Sequence, residues 1–223
     1  MRATIFAALV LAGCATAPVI PVPDPSSTSG THVYALLPLG GEAFDNGGMD
    51  NIAARVARIP SVTRVVIYQY TDTQSVANAI SADPATVKEV VIGFSCGANH
   101  APDVAAGTRH RIDLIAVIQV SEWCGGIPIP GNVLRAQETY NPNCADTGGL
   151  GCGRLVPGPG FNPANLTFIE RPDCHTCSDH DPDAVNDIVR AVTVVTSSGR
   201  KLAGISVFGR PRVIVRYHGQ SAY

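Results

Sequence analysis

The residues best suited to chemistry stand in one stretch, Val90-Val91-Ile92-Gly93-Phe94-Ser95-Cys96-Gly97-Ala98-Asn99, where β-forming residues lead through Gly-Phe-Ser-Cys-Gly into a small-residue segment. The G-x-S-x-G spacing puts a serine on a sharp strand-to-helix turn, which only glycines allow so close to neighbouring backbone. A hydroxyl held there stands clear of the sheet, within reach of a base, and can attack an acyl carbon. The competing reading is a plain turn in which Ser95 caps the helix through its side-chain oxygen. A buried run before the motif and a helical segment after it are the contexts the nucleophile requires, and both are present.

The chain has 223 residues, 45% hydrophobic and 15% charged, enough for one domain with a sizeable core. A net charge of −2 without a basic stripe excludes nucleic acid as the expected partner. A neutral or small substrate is the simpler expectation.

Residues 1–13 read as a signal peptide: Arg2 is the basic end, Ile5 to Leu11 the apolar run, and Leu11-Ala12-Gly13-Cys14 the close. The close resembles a bacterial lipobox, which implies cleavage before Cys14 and lipid on that cysteine. The apolar run is too short for the ~20 residues of a spanning helix, so the expectation is a protein anchored to a membrane by lipid. Ala15 after Cys14, by resemblance to such sorting signals, points to the outer membrane. Residues 14–30, with four prolines and no period, form a tether.

Export places the cysteines at 96, 124, 144, 152, 174 and 177 in an oxidising compartment. Six thiols allow fifteen pairings. Cys144 with Cys152, around a glycine-rich loop, is the favoured pair. Cys174 and Cys177 flank His175, and Cys96, inside the motif, is expected to stay free. Cys174-His175-x-Cys177 with His180 invites a zinc reading, but paired C-x-x-C spacings are absent and disulfides suit the compartment. No metal or other cofactor is expected.

The elements that must position these residues follow from apolar periodicity. Strands are expected at His32 to Leu37, Val62 to Tyr70, Glu89 to Phe94, Asp113 to Val120, Val133 to Tyr140 and Leu166 to Glu170. Helices are expected from Met49 to Ile59, from Asp72 through Ile80, after Ser95, and from Asp181-Pro182 through Val192. Pro102 is expected to kink or restart the helix after Ser95. Alternating strands and helices predict an α/β domain over residues 31–195, a mainly parallel sheet flanked by helices. Residues 196–223 are expected to add a β-hairpin, Ile205 to Arg210 and Val213 to His218.

The elbow and this order of elements resemble the α/β-hydrolase superfamily, in particular its small lidless, cutinase-like esterases. The resemblance covers roughly His32 to Val195. It implies that an acid and then a histidine follow the serine on loops at the carboxyl ends of strands. His175, between the last apolar strand and the last helix, matches the family's base, with His180 as rival; a surface histidine in a cysteine-stapled loop is the alternative. Asp146 matches the acid, with Glu138, Glu122, Asp179 or no carboxylate left open. The oxyanion hole maps to the Cys96 amide and to Leu39-Gly40-Gly41, and no lid insertion is apparent, so an open, shallow site is expected. His32, His100, His110 and His218 are read as outside the site. The implied function is hydrolysis of a carboxylic ester or thioester, lipid-like or short-chain, through an acyl-serine. The alternative is an envelope-anchored binding module on the same scaffold without catalysis.

Overall fold

The computed structural model describes residues 29–41, 47–143, 153–172, 174–197 and 213–216. The strands are β1 (Gly30–Leu36), β2 (Val62–Tyr68), β3 (Val87–Phe94), β4 (Leu114–Ile118), β5 (Ala136–Tyr140), β6 (Leu166–Glu170) and β7 (Val213–Arg216). Between them run α1 (Gly48–Val56), α2 (Thr73–Ala82), α3 (Cys96–Gly107) and α4 (Pro182–Ser197). The strands form one sheet in the order β6-β5-β4-β3-β1-β2-β7, and every neighbouring pair is parallel. This is a doubly wound α/β sheet, as the alternation of elements predicts.

Each sheet face is covered, which explains why strands such as β1 and β4 are apolar without interruption. On one face Val33, Ala35, Ile92, Phe94, Ala116 and Ile118 pack with Ile52 and Val56 of α1 and Val185, Ile188 and Val192 of α4. On the other, Tyr34, Leu36, Val91, Ile115 and Val117 pack with Val76 and Ile80 of α2 and Ala98, Ala101 and Val104 of α3. The chain reverses direction across the sheet between β1 and β3, so the loops leaving their carboxyl ends diverge and open a crevice there. Ser95 lies at that switch point.

Three local expectations change. α3 runs from Cys96 to Gly107 straight through the buried Pro102, which forgoes a bond to the carbonyl of Ala98 without ending the helix. The strand expected from Val133 begins at Ala136, while Val133 forms an isolated bridge to Ile112. At the carboxyl end of the chain, β7 extends the sheet edge in parallel with β2. The other expected hairpin arm, Ile205 to Arg210, lies outside the described residues, as do residues 1–28 with Cys14. Among the described residues no helix is long and apolar enough to cross a membrane.

The two motif glycines are dictated by packing. A Cβ on Gly93 would collide with the backbone of Gly97 and Ala98, and one on Gly97 would collide with the carbonyls of Leu36 and Leu37. Gly97→Ala gains ~1 kcal/mol of helix propensity, but forcing a methyl against backbone costs ~1–3 kcal/mol or more. The clash wins: Gly97→Ala is expected to lower the urea midpoint by the equivalent of about 1–2 kcal/mol, and an unchanged midpoint would contradict this packing.

Candidate active site

Ser95 sits between β3 and α3 with φ 54° and ψ −120°, a left-handed backbone that a non-glycine residue holds only at a cost. Its N–H donates to the carbonyl of Ile118 at 3.1 Å, tying the turn to the end of β4. Its hydroxyl lies 2.9 Å from Nε2 of His175. The pair predicted from chain order, 80 residues apart, is therefore in hydrogen-bond contact.

His175 stands on a short 3-10 turn, His175–Cys177, between β6 and α4. A Cys174–Cys177 disulfide brackets it, and Ser178 Oγ donates to the carbonyls of Cys174 and His175. The loop's two ends are also held. Arg171 forms a two-pronged ion pair with the buried Asp187 of α4, at 2.9 and 3.1 Å. Asp181 Oδ1 accepts from the amides of Asp183 and Ala184, the expected N-cap of α4. The imidazole packs on Phe94, ring centres 5.3 Å apart. Burial lowers its pKa from the usual 6.5 to about 4, so the ring is neutral near pH 7 and free to accept the serine proton.

The partner of His175 Nδ1 is Gln119, whose Oε1 lies at 2.8 Å. An amide oxygen accepts the Nδ1 proton and so selects the tautomer in which Nε2 faces Ser95 as acceptor. Gln119 is buried, directly follows β4 and has φ 48°; with Ser95 it is one of two described non-glycine residues at positive φ. Its N–H donates to Thr139 of β5 at 2.8 Å. Sequence reading missed it because its side chain carries no charge. The available signal was a polar residue near the end of an apolar run, at the carboxyl edge of the sheet.

The other candidates fall elsewhere. Asp146, Cys144 and Cys152 lie outside the described residues. Glu138 is fully buried on β5, where its Oε2 accepts the Leu155 amide at 2.7 Å; burial raises its pKa to about 7 against the opposing pull of that bond and Arg154. Asp179 is buried against Gly48 at the first turn of α1. Glu122 and His180 are exposed. His100 pairs with Asp103 on α3, as befits a residue outside the site. His32, also read as outside the site, is buried and paired with Asp83.

Cys96 is not free. It is bonded to Cys124, because the loop after β4 folds back over the first turn of α3. Asn99, one turn further, clips the same loop: its Nδ2 donates to the carbonyl of Ser121 at 2.7 Å and also to that of Gly125, and its Oδ1 accepts the Ser121 amide at 2.8 Å. The loop carrying Gln119 is thus held by a covalent bond and a side-chain amide. Ser95 and His175 are consequently only 7% and 5% exposed, a more covered pair than a lidless chain leads one to expect.

Pro38 to Gly41 form a turn closed by the Gly41 amide on the Pro38 carbonyl at 2.9 Å, with Gly40 at φ 76°. That is the geometry of a type II turn, which favours glycine at its third position. The carbonyls of Leu36 and Leu37 abut Gly97, so the β1 loop adjoins the helix turn that starts with Cys96. The first two amides of α3, of Cys96 and Gly97, have no intrahelical acceptor and carry partial positive charge, whereas that of Ala98 already donates to the Ser95 carbonyl.

Fold and site together define a doubly wound α/β protein with a buried, hydrogen-bonded Ser–His–Gln trio at the carboxyl edge of its sheet. Compared with known protein families and with curated proteins, the chain matches none.

Proposed function

We propose that this protein is a serine hydrolase of the α/β-hydrolase type that cleaves a carboxylic ester or thioester through an acyl-Ser95 intermediate. The observation that carries this reading is the 2.9 Å contact between His175 Nε2 and the hydroxyl of a serine held at φ 54°. His175 takes the Ser95 proton as the oxygen attacks the acyl carbon, then returns it to the leaving group; water repeats the sequence to free the acid. Gln119 holds the tautomer. The Cys96 amide, with a second donor from the Gly40 loop, stabilises the oxyanion, each such donor contributing on the order of 3 kcal/mol.

Apolar residues at this edge support an acyl chain as the recognised part. Leu39, Trp123, Ile127 and Val156, on the loops after β1, β4 and β5, are all exposed. A cleft of about 210 Å³ lined by Asn99, Val120, Ile127, Leu155 and Val156 opens one helical turn beyond Ser95. Lipidation of Cys14 and residence at the bacterial outer membrane complete the proposal, placing the enzyme beside lipidic esters.

A fluorophosphonate probe tests the reading directly. Covalent attachment is expected at Ser95, located by peptide mass spectrometry, and is expected to be absent from Ser95→Ala. A folded wild-type protein that takes no label would favour the binding-module alternative.

A further inference from the structure

At the edge of the sheet opposite Ser95, where β1, β2 and β3 begin, Arg64, His32 and Glu89 stand in a row on adjacent strands. His32 is the register partner of Arg64 on β2 and of Glu89 on β3. Asp83, which closes α2, reaches over this row. Its Oδ2 lies 2.6 Å from His32 Nδ1, accepts the Tyr34 hydroxyl at 2.5 Å and receives Arg64 Nη2 at 3.2 Å. Arg64 also donates to Tyr34.

Glu89 is 1% exposed, and among the described residues neither of its carboxylate oxygens has a hydrogen-bond donor. Asp113, the next acid, receives Glu89's own amide at 3.1 Å and Arg111 at 3.0 Å. A buried carboxyl group beside a part-buried one needs a proton or a cation between them. Arg64 is directed at Asp83 and Tyr34.

We propose that His32, Asp83 and Glu89 bind a divalent transition-metal ion, zinc by ligand chemistry. One donor atom from each lies within 4.8 Å of the others. Zinc bonds of about 2.0–2.2 Å set neighbouring donors about 3.3 Å apart, so the Glu89 side closes by at most about 1.5 Å and the His32–Asp83 pair, now at 2.6 Å, opens by about half that. One imidazole and two carboxylates suit zinc; calcium and magnesium favour more numerous, all-oxygen shells. Glu89, alone of the three, also lines a cavity of about 280 Å³ with Arg109, His110, Arg111 and Asp113, room for a fourth, water ligand on its side of the cluster. The ion takes the Nδ1 lone pair of the neutral His32 ring, in the tautomer that carries its proton on Nε2, and displaces any proton on Glu89, which leaves to solvent. Arg64, whose side chain is one-fifth exposed, turns outward. The ion's role is to fasten the α2–β3 connection to the sheet, remote from the ester chemistry.

The test uses the full chain, stripped with a chelator and dialysed against zinc alone, with metal counted by mass spectrometry and melting followed in parallel. One zinc per chain is expected, with Tm rising by about 5 °C or more at a hundredfold excess over Kd. Glu89→Gln keeps the shape and supplies an amide able to donate to Asp83, and is expected to bind zinc at least ~100-fold more weakly with no zinc-dependent Tm shift. His32→Gln gives an independent variant with the same expectation. Wild type that takes up no zinc, or variants that take up as much as wild type, would overturn the site and leave a shared proton between Glu89 and Asp83.

Discussion

His175→Ala is expected to lower kcat/KM for p-nitrophenyl esters by at least ~10³-fold, Ser95→Ala by a similar factor, and the double variant by no more than the worse single one. The nucleophile without its base is an ordinary alcohol, and the base without its nucleophile has nothing to deprotonate, so the two act as one unit and their losses do not add. Neither substitution is expected to unfold the chain, although His175→Ala gives up the ring's contact with Phe94. Ser95 is small, and the His175 loop is held by the Cys174–Cys177 bond and the Arg171–Asp187 pair. Melting temperatures close to that of wild type should accompany the loss. A His175→Ala variant that keeps more than a tenth of wild-type activity would remove the imidazole from the mechanism.

The second large effect is expected at Gln119. Gln119→Leu removes the acceptor 2.8 Å from His175 Nδ1, frees the ring to adopt the unproductive tautomer, and should cost ~10²-fold or more in kcat. Gln119→Glu tests the other half of the role. In wild type the neighbour is neutral and burial holds His175 at a pKa of about 4. The ring is then protonated, and useless as a base, only below about pH 4, so the acid limb of kcat/KM belongs there. A carboxylate at position 119 favours the imidazolium, raises the histidine pKa and moves that limb upward by at least one pH unit. The same carboxylate stabilises the imidazolium that forms during attack, so the plateau rate at high pH is expected to rise. Coincident pH profiles for wild type and Gln119→Glu would show that Gln119 does not govern the ring.

The pH dependence of stability carries the same sign. The unfolded chain binds a proton on His175 near pH 6.5, the folded one only near 4. Between those values the unfolded state holds more protons, so this histidine's contribution to stability is present above pH 6.5 and is lost as pH falls toward 4.

What the chain order alone determined is local. The elbow is legible because strand, turn and helix are contiguous, and Gly93 and Gly97 are forced by contacts within that unit or with the adjoining strand. The N-cap at Asp181 and the parallel α/β class follow for the same reason: each rests on short-range periodicity or on a bond spanning two or three residues. His175 was found by its place between β6 and α4. What only the tertiary structure decided depends on register and strand order. Gln119 meets His175 because β4 lies beside β3, and because a left-handed residue turns the chain at its end. Cys96 finds Cys124, and His32 finds Asp83 and Glu89, across separations of 28 to 57 residues. Residue types say which groups can bond; the sheet's topology says which of them come within 3 Å.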